Sequence, residues 1–150
     1  MVLKLALASI TGLLLFSSCG SMSSLAPHNP NTAVRMPANL NEREMQNISV
    51  VEHTLRSAGY QPLPFEDTRA SAYDIQFKLE RKGITTVESR ITLRKGSVIT
   101  AYGSASRTAI ERLFKGERIY QEIFDESIAD FRAKLRPASG SLQPYRPNTY

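Results

Sequence analysis

A chain of 150 residues, 41% hydrophobic and 22% charged, has room for one domain and the apolar content of an ordinary globular core. Its formal charge of +5 leans basic, but acidic residues are interleaved with the basic ones, which argues against the clustered stripe that nucleic-acid binding needs. A single cysteine excludes an internal disulfide, and with two histidines it supplies too few ligands for a recognisable zinc site.

In chain order, the first element is an apolar stretch, Leu5 to Phe16, preceded by one positive charge, Lys4, and interrupted only by Ser9, Thr11 and Gly12. A spanning helix needs about 20 predominantly apolar residues, so this shorter run reads as the core of a signal segment. Small residues follow, Ser17 and Ser18, and then the only cysteine, Cys19. The run Leu15-Phe16-Ser17-Ser18-Cys19-Gly20 resembles a bacterial lipobox, with Phe16 where the usual pattern has leucine and Leu15 one place earlier. That resemblance implies a signal peptide over residues 1–18, cleavage before Cys19 and acylation of Cys19 with palmitate-type chains. Gly20 stands where an aspartate would resemble an inner-membrane retention signal, so the resemblance implies the outer membrane, with the protein facing the periplasm.

Residues 19–40 then read as the lipidated N-terminus and a flexible tether. The stretch is rich in Ser, Pro and Asn, with Pro27, Pro30 and Pro37 spaced along it, and only Ala33 to Met36 suggests a short edge strand. Asn41 and Glu44 have capping-box spacing. Met45, Ile48, Val51, Leu55 and Ala58 recur every three or four residues, and Gly59 sits at the C-terminal cap position, so a helix is predicted over 42–58. Tyr60 to Leu63 reads as a short strand that Pro62 and Pro64 confine to an edge.

The clearest β pattern follows: Tyr73, Ile75, Phe77 and Leu79 alternate with Asp74, Gln76, Lys78 and Glu80. Arg81-Lys82-Gly83 and Arg94-Lys95-Gly96 punctuate the next segments, and as three-residue loops ending in glycine they predict a meander. The register that follows sets Phe77 opposite Val87 and Tyr73 opposite Ile91. In the second hairpin it sets Ile91 opposite Ile99, Ser89 opposite Ala101 and Val87 opposite Gly103. The covered face of the third meander strand is then small, Ala101, Gly103 and Ala105, which lets a helix lie close. Residues 108–116 read as a short helix or a loop. Tyr120, Ile123, Phe124, Ile128, Phe131 and Leu135 make a stripe at helical spacing that ends before Pro137 and is read as core. Residues 137–150, with three prolines and two tyrosines, read as a disordered tail.

These elements predict an α+β domain over 41–136, a two-layer sandwich of a mainly antiparallel sheet, a three-stranded meander plus a short edge strand, with two helices. Ser57-Ala58-Gly59-Tyr60, Ala72-Tyr73-Asp74-Ile75 and the meander together resemble the small two-layer α/β envelope lipoproteins, among them the lipopolysaccharide-assembly lipoprotein of the outer membrane. The resemblance implies this fold and an envelope location.

No catalytic motif is present: there is no nucleophile elbow, P-loop or glycine-rich dinucleotide turn. His28 and His53 are isolated, and Asp125, Glu126 and Asp130 read as a solvated acidic face rather than a glycosidic pair. The expectation is a non-catalytic protein without cofactor or metal, attached to the membrane through Cys19 and binding an envelope protein partner, with an open sheet edge beside Tyr60 to Leu63 or along the third meander strand as the docking place. The alternative is an anionic envelope ligand, lipopolysaccharide, phospholipid or wall polymer, on Arg81, Lys82, Arg94 and Lys95. Those two loops are predicted at opposite ends of the meander. Composition says nothing of the oligomeric state.

Overall fold

The structure, a computed structural model, describes residues 27–138; the signal segment, Cys19, Tyr145 and Tyr150 lie outside them. The elements in order are β1 (Ala33–Arg35), α1 (Glu42–Ser57), β2 (Gln61–Leu63), β3 (Tyr73–Lys82), β4 (Thr86–Lys95), β5 (Val98–Thr108), α2 (Ala109–Lys115) and α3 (Arg118–Lys134). One five-stranded sheet runs β2-β1-β3-β4-β5, antiparallel from β3 to β5 and parallel where β1 meets β2 and β3. The inward residues of β3, β4 and β5 form a core with α1 and α3. The other face of the meander carries Lys78, Glu80, Arg90 and Ser106, all exposed. The fold is α+β in two layers.

β1 departs from the expected single edge strand. Ala33 and Val34, in the stretch read as tether, are fully buried, and β1 lies inside the sheet between β2 and β3. Three residues are too few for alternation to show, and the strands that hold them come later in the chain. The sheet is therefore mixed, and the domain begins near Asn29, whose backbone N–H donates to Gln61 Oε1 at 3.2 Å. At the other end Ala138, expected in the tail, is buried and donates its N–H to Ala58 O at 2.9 Å.

The predicted capping box closes α1: Asn41 Oδ1 accepts from Glu44 N at 3.0 Å and Glu44 Oε2 accepts from Asn41 N at 2.9 Å. The inward stripe starts on Glu44 rather than Met45, which is 59% exposed, and continues through Ile48, Val51 and Leu55. A carboxylate can be buried there because its other oxygen accepts the Leu79 N–H at 3.0 Å.

The meander has the predicted faces and a different register. Phe77 pairs with Ile91, four places from Val87, because β3 runs on through Lys82 and the turn is Gly83-Ile84-Thr85. An even shift keeps the same side chains on the same face, so burial alone cannot detect it. Gly83 takes its positive φ of 65° at the first loop position instead of the third. In the second hairpin the loop shortens to Gly96-Ser97, with positive φ on the glycine alone, as a type II′ turn needs. Ile91 faces Gly103 and Ser89 faces Ala105, while a bulge at Thr100 moves Ile99 out of the Ile91 row to a place beside Arg94.

α3 carries the predicted stripe, with Ile119 and Ser127 added to its buried side, and lies across β5. The small row on β5 is the reason it can. A Cβ at Gly103 would sit 2.6 Å from Phe131 Cβ and 2.5 Å from the Phe131 backbone nitrogen. Beneath the crossing, Ser127 Oγ donates to Phe124 O at 2.9 Å and is paired with Ser89 Oγ at 2.5 Å. Residues 109–115 form the short helix α2.

Candidate functional site

The four basic residues singled out in the sequence fall into two pairs at opposite ends of the sheet. Arg81 is spent on its own turn, donating to Gly83 O at 3.0 Å and Ile84 O at 2.9 Å, and Lys82 pairs with Glu88 at 3.3 Å. Ten-residue strands separate this hairpin from the next by about 33 Å. At the far side Arg94 is half-buried, its Nε without a hydrogen-bond partner, and exposed Lys95 lies 5.5 Å from the Tyr73 ring centroid. The arrangement thus removes Arg81 and Lys82 from any shared patch with Arg94 and Lys95.

Packing brings other groups to the neighbourhood of Lys95, through Tyr73. The C-terminal end of α3 places Lys134 and Arg136 beside Ile99 and Thr100, around an open cleft of about 790 Å³ that also reaches Tyr60 and Tyr73. Lys134 is engaged by Asp130 at 2.8 Å; Arg136 and Lys95 have no carboxylate partner among the described residues. Burial, then the neighbouring Tyr73, pushes the Tyr60 phenol above its usual range, so it stays protonated at neutral pH. The two rings meet edge to face with centroids 5.2 Å apart. Arg136 carries no local sequence signal for this role, since only the path of α3 across β5 delivers it.

A second locus lies on the sheet edge that β1 leaves behind. The parallel ladder ends at Arg35↔Asp74, and Pro37 has no N–H with which to extend it. Asn41 and Glu44 recapture the strand two turns of the pleat later: Asn41 Nδ2 donates to Leu79 O at 3.3 Å, and Leu79 N donates to Glu44. Since Leu79 directs its N–H away from β4, Phe77 does the same, two residues earlier on the pleat. Between Pro37 and Asn41 the β3 edge at Phe77 is therefore unpaired by any strand. A cleft of about 450 Å³ stands against it, with Met36, Pro37 and Phe65 on one side and Ile75 and Phe77 on the other. Arg35 holds the adjoining loop, donating to Asp67 O at 2.8 Å and Arg69 O at 3.0 Å.

Of the edges expected to be open, β2 carries Pro62, and β5 is the last strand of the sheet, with no strand beyond it among the described residues. The histidines do not converge: His53 is exposed on α1, and His28 lies ahead of β1 with both ring nitrogens enclosed and unpartnered. Asp125, Glu126 and Asp130 each have a separate partner, Gln121, Arg107 and Lys134. Among the described residues no cluster of three metal-ligating side chains occurs, and no helix is long and apolar enough to cross a membrane.

No family model matches the sequence, and no curated protein matches it. Among solved structures, the chain is similar to a minor lipoprotein from Acinetobacter baumannii, at 16% sequence identity over 67% of this chain and 81% of that one, with a TM-score of 0.25.

Proposed function

We propose that the chain is the precursor of a membrane-anchored envelope lipoprotein, held in the outer membrane through acylated Cys19, whose periplasm-facing domain binds an envelope protein partner as an accessory or assembly subunit and catalyses no reaction. The anchor rests on the lipobox-like run Leu15 to Gly20. The observation that carries partner binding is the gap in the β3 edge. An extended segment of about three residues fits between Pro37 and Asn41, with the backbone of Phe77 to pair with and a cleft lined by both apolar and charged side chains for one of its own. A photo-crosslinking residue at Ala38 or Gln76, in the mature protein in its own envelope, is expected to give one reproducible protein adduct, and the same group at Ser106 none. Absence of an adduct from both sites would count against the reading.

A second reading, binding of lipopolysaccharide, phospholipid or a wall polymer, is favoured by exposed Lys95 beside Tyr73, which lines the same cleft as Lys134 and Arg136. Binding of that kind weakens as salt rises.

A further inference from the structure

The chain enters and the basic cleft opens at the same end of the sheet. Ala72, just before β3, donates its N–H to Pro30 O at 2.9 Å, and Gln61 at the start of β2 holds Asn29, so residues 29–32 lie beside the first residues of β2 and β3. Register places the β4–β5 hairpin there too, since Asp74 faces Arg94. At its tip Val98 is 62% exposed and Ile99 53% exposed. The bulge at Thr100 withdraws Ile99 from the covered row, and Lys95 and Arg136 flank the pair without carboxylate partners among the described residues.

We infer that this hairpin end is a second membrane contact: Val98 and Ile99 enter the headgroup layer of the bilayer that carries the acylated Cys19, and Lys95 and Arg136 lie against its anionic headgroups. The inference rests on the lipid-anchor reading. Reach decides which end meets the membrane. The eight residues from Gly20 to Pro27 extend to about 27 Å at most and relax to about 16 Å. Ile84, Ile110 and Leu113 are also exposed, but they belong to the opposite end, about 33 Å further along ten-residue strands, beyond that reach. Of the cations there, Lys82 is occupied by Glu88, Arg107 by Glu126 and Lys115 by Glu122, while Arg118 has no ion pair among the described residues. An apolar tip ringed by free cations suits an interface of acyl chains and anionic headgroups, where each cation strengthens attachment about fivefold.

The protein has no tryptophan, so one introduced tryptophan reports alone. Mature acylated protein carrying Val98→Trp or Ile84→Trp is reconstituted into vesicles of phosphatidylglycerol and phosphatidylethanolamine with brominated acyl chains. Emission of the Val98→Trp protein is expected to shift to the blue and be quenched, while that of the Ile84→Trp protein stays as in buffer. Quenching should fall when Lys95→Glu and Arg136→Glu are added, and in vesicles of phosphatidylcholine alone. Vesicles that retain the protein yet leave Val98→Trp unquenched, or that quench both variants equally, would overturn the membrane contact while leaving the anchor intact. Protein that lacks the acyl mass and does not float with the vesicles would overturn the anchor reading, and this inference with it.

Discussion

Glu44 joins two structures through one carboxylate, accepting the N–H of Asn41 to cap α1 and the N–H of Leu79 to close the end of the β3 edge. Glu44→Ala leaves both donors without an acceptor in a buried place and should cost about 2–3 kcal/mol in urea unfolding, with Glu44→Gln costing less. Ser89 and Ser127 form a smaller closed system. Because Ser127 gives its proton to Phe124 O, Ser89 is the donor between them, and Ser127→Ala strands a buried hydroxyl. That single change should cost about 1–3 kcal/mol, and adding Ser89→Ala should recover part of it, a coupling that a double-mutant cycle reads directly. Gly103→Ala drives a methyl into the backbone of α3 and should cost about 3 kcal/mol or more, against little for Gly83→Ala beyond its positive φ. Asp67 responds to pH. The Arg69 side chain and then its backbone N–H hold the carboxyl down to about 2 from an ordinary 3.8. A lowered folded value contributes stability above the ordinary one and loses it as pH falls toward the lowered one. Asp67→Asn should therefore lower the melting temperature at neutral pH and leave it unchanged below about pH 2.

Among the elements, α1, the faces of the meander and the α3 stripe were legible because each is an amphipathic period long enough to read and each has a local stop, Gly59, the two glycine turns and Pro137. Register was not. Both glycine turns were found, but whether a glycine opens or ends its loop depends on the twist of the paired strands, and an even slip of four residues leaves every face unchanged. A short strand at Ala33 to Met36 was suggested, but its interior place was hidden because the burial of β1 comes from β2 and β3 on either side rather than from its own pattern. The candidate site was half legible for the same reason. Arg94 and Lys95 stand out beside a turn, whereas Arg136 and the Phe77 edge exist only once α3 crosses β5 and Pro37 ends the β1 ladder. The edge has a direct consequence in hydrogen exchange. The Leu79 amide, bonded to a buried carboxylate, should exchange markedly more slowly than the Phe77 amide, which has no strand beside it. Equal protection at the two positions would mean that the gap is closed by a rearranged β1.

For the molecule as a whole, the inclusion of residues 28–36 in the folded domain would shorten the proposed tether from about twenty residues to the eight between Cys19 and His28. On the proposed lipid anchor, a long tether would let the domain search the periplasm, whereas a short one would keep it within about 27 Å of its anchor and bias which end faces the lipid. The core of the described residues begins at Thr32, so on the lipid-anchor proposal Cys19→Ser should leave the thermal unfolding of the domain unchanged while moving the protein out of the membrane fraction or stalling its precursor. The measurement that bears most directly on the account is fatty-acid labelling in cells followed by the mass of the mature N-terminus. The account predicts a labelled chain that starts at Cys19 and carries the mass of its acyl groups. An unlabelled chain beginning at any other residue would contradict it.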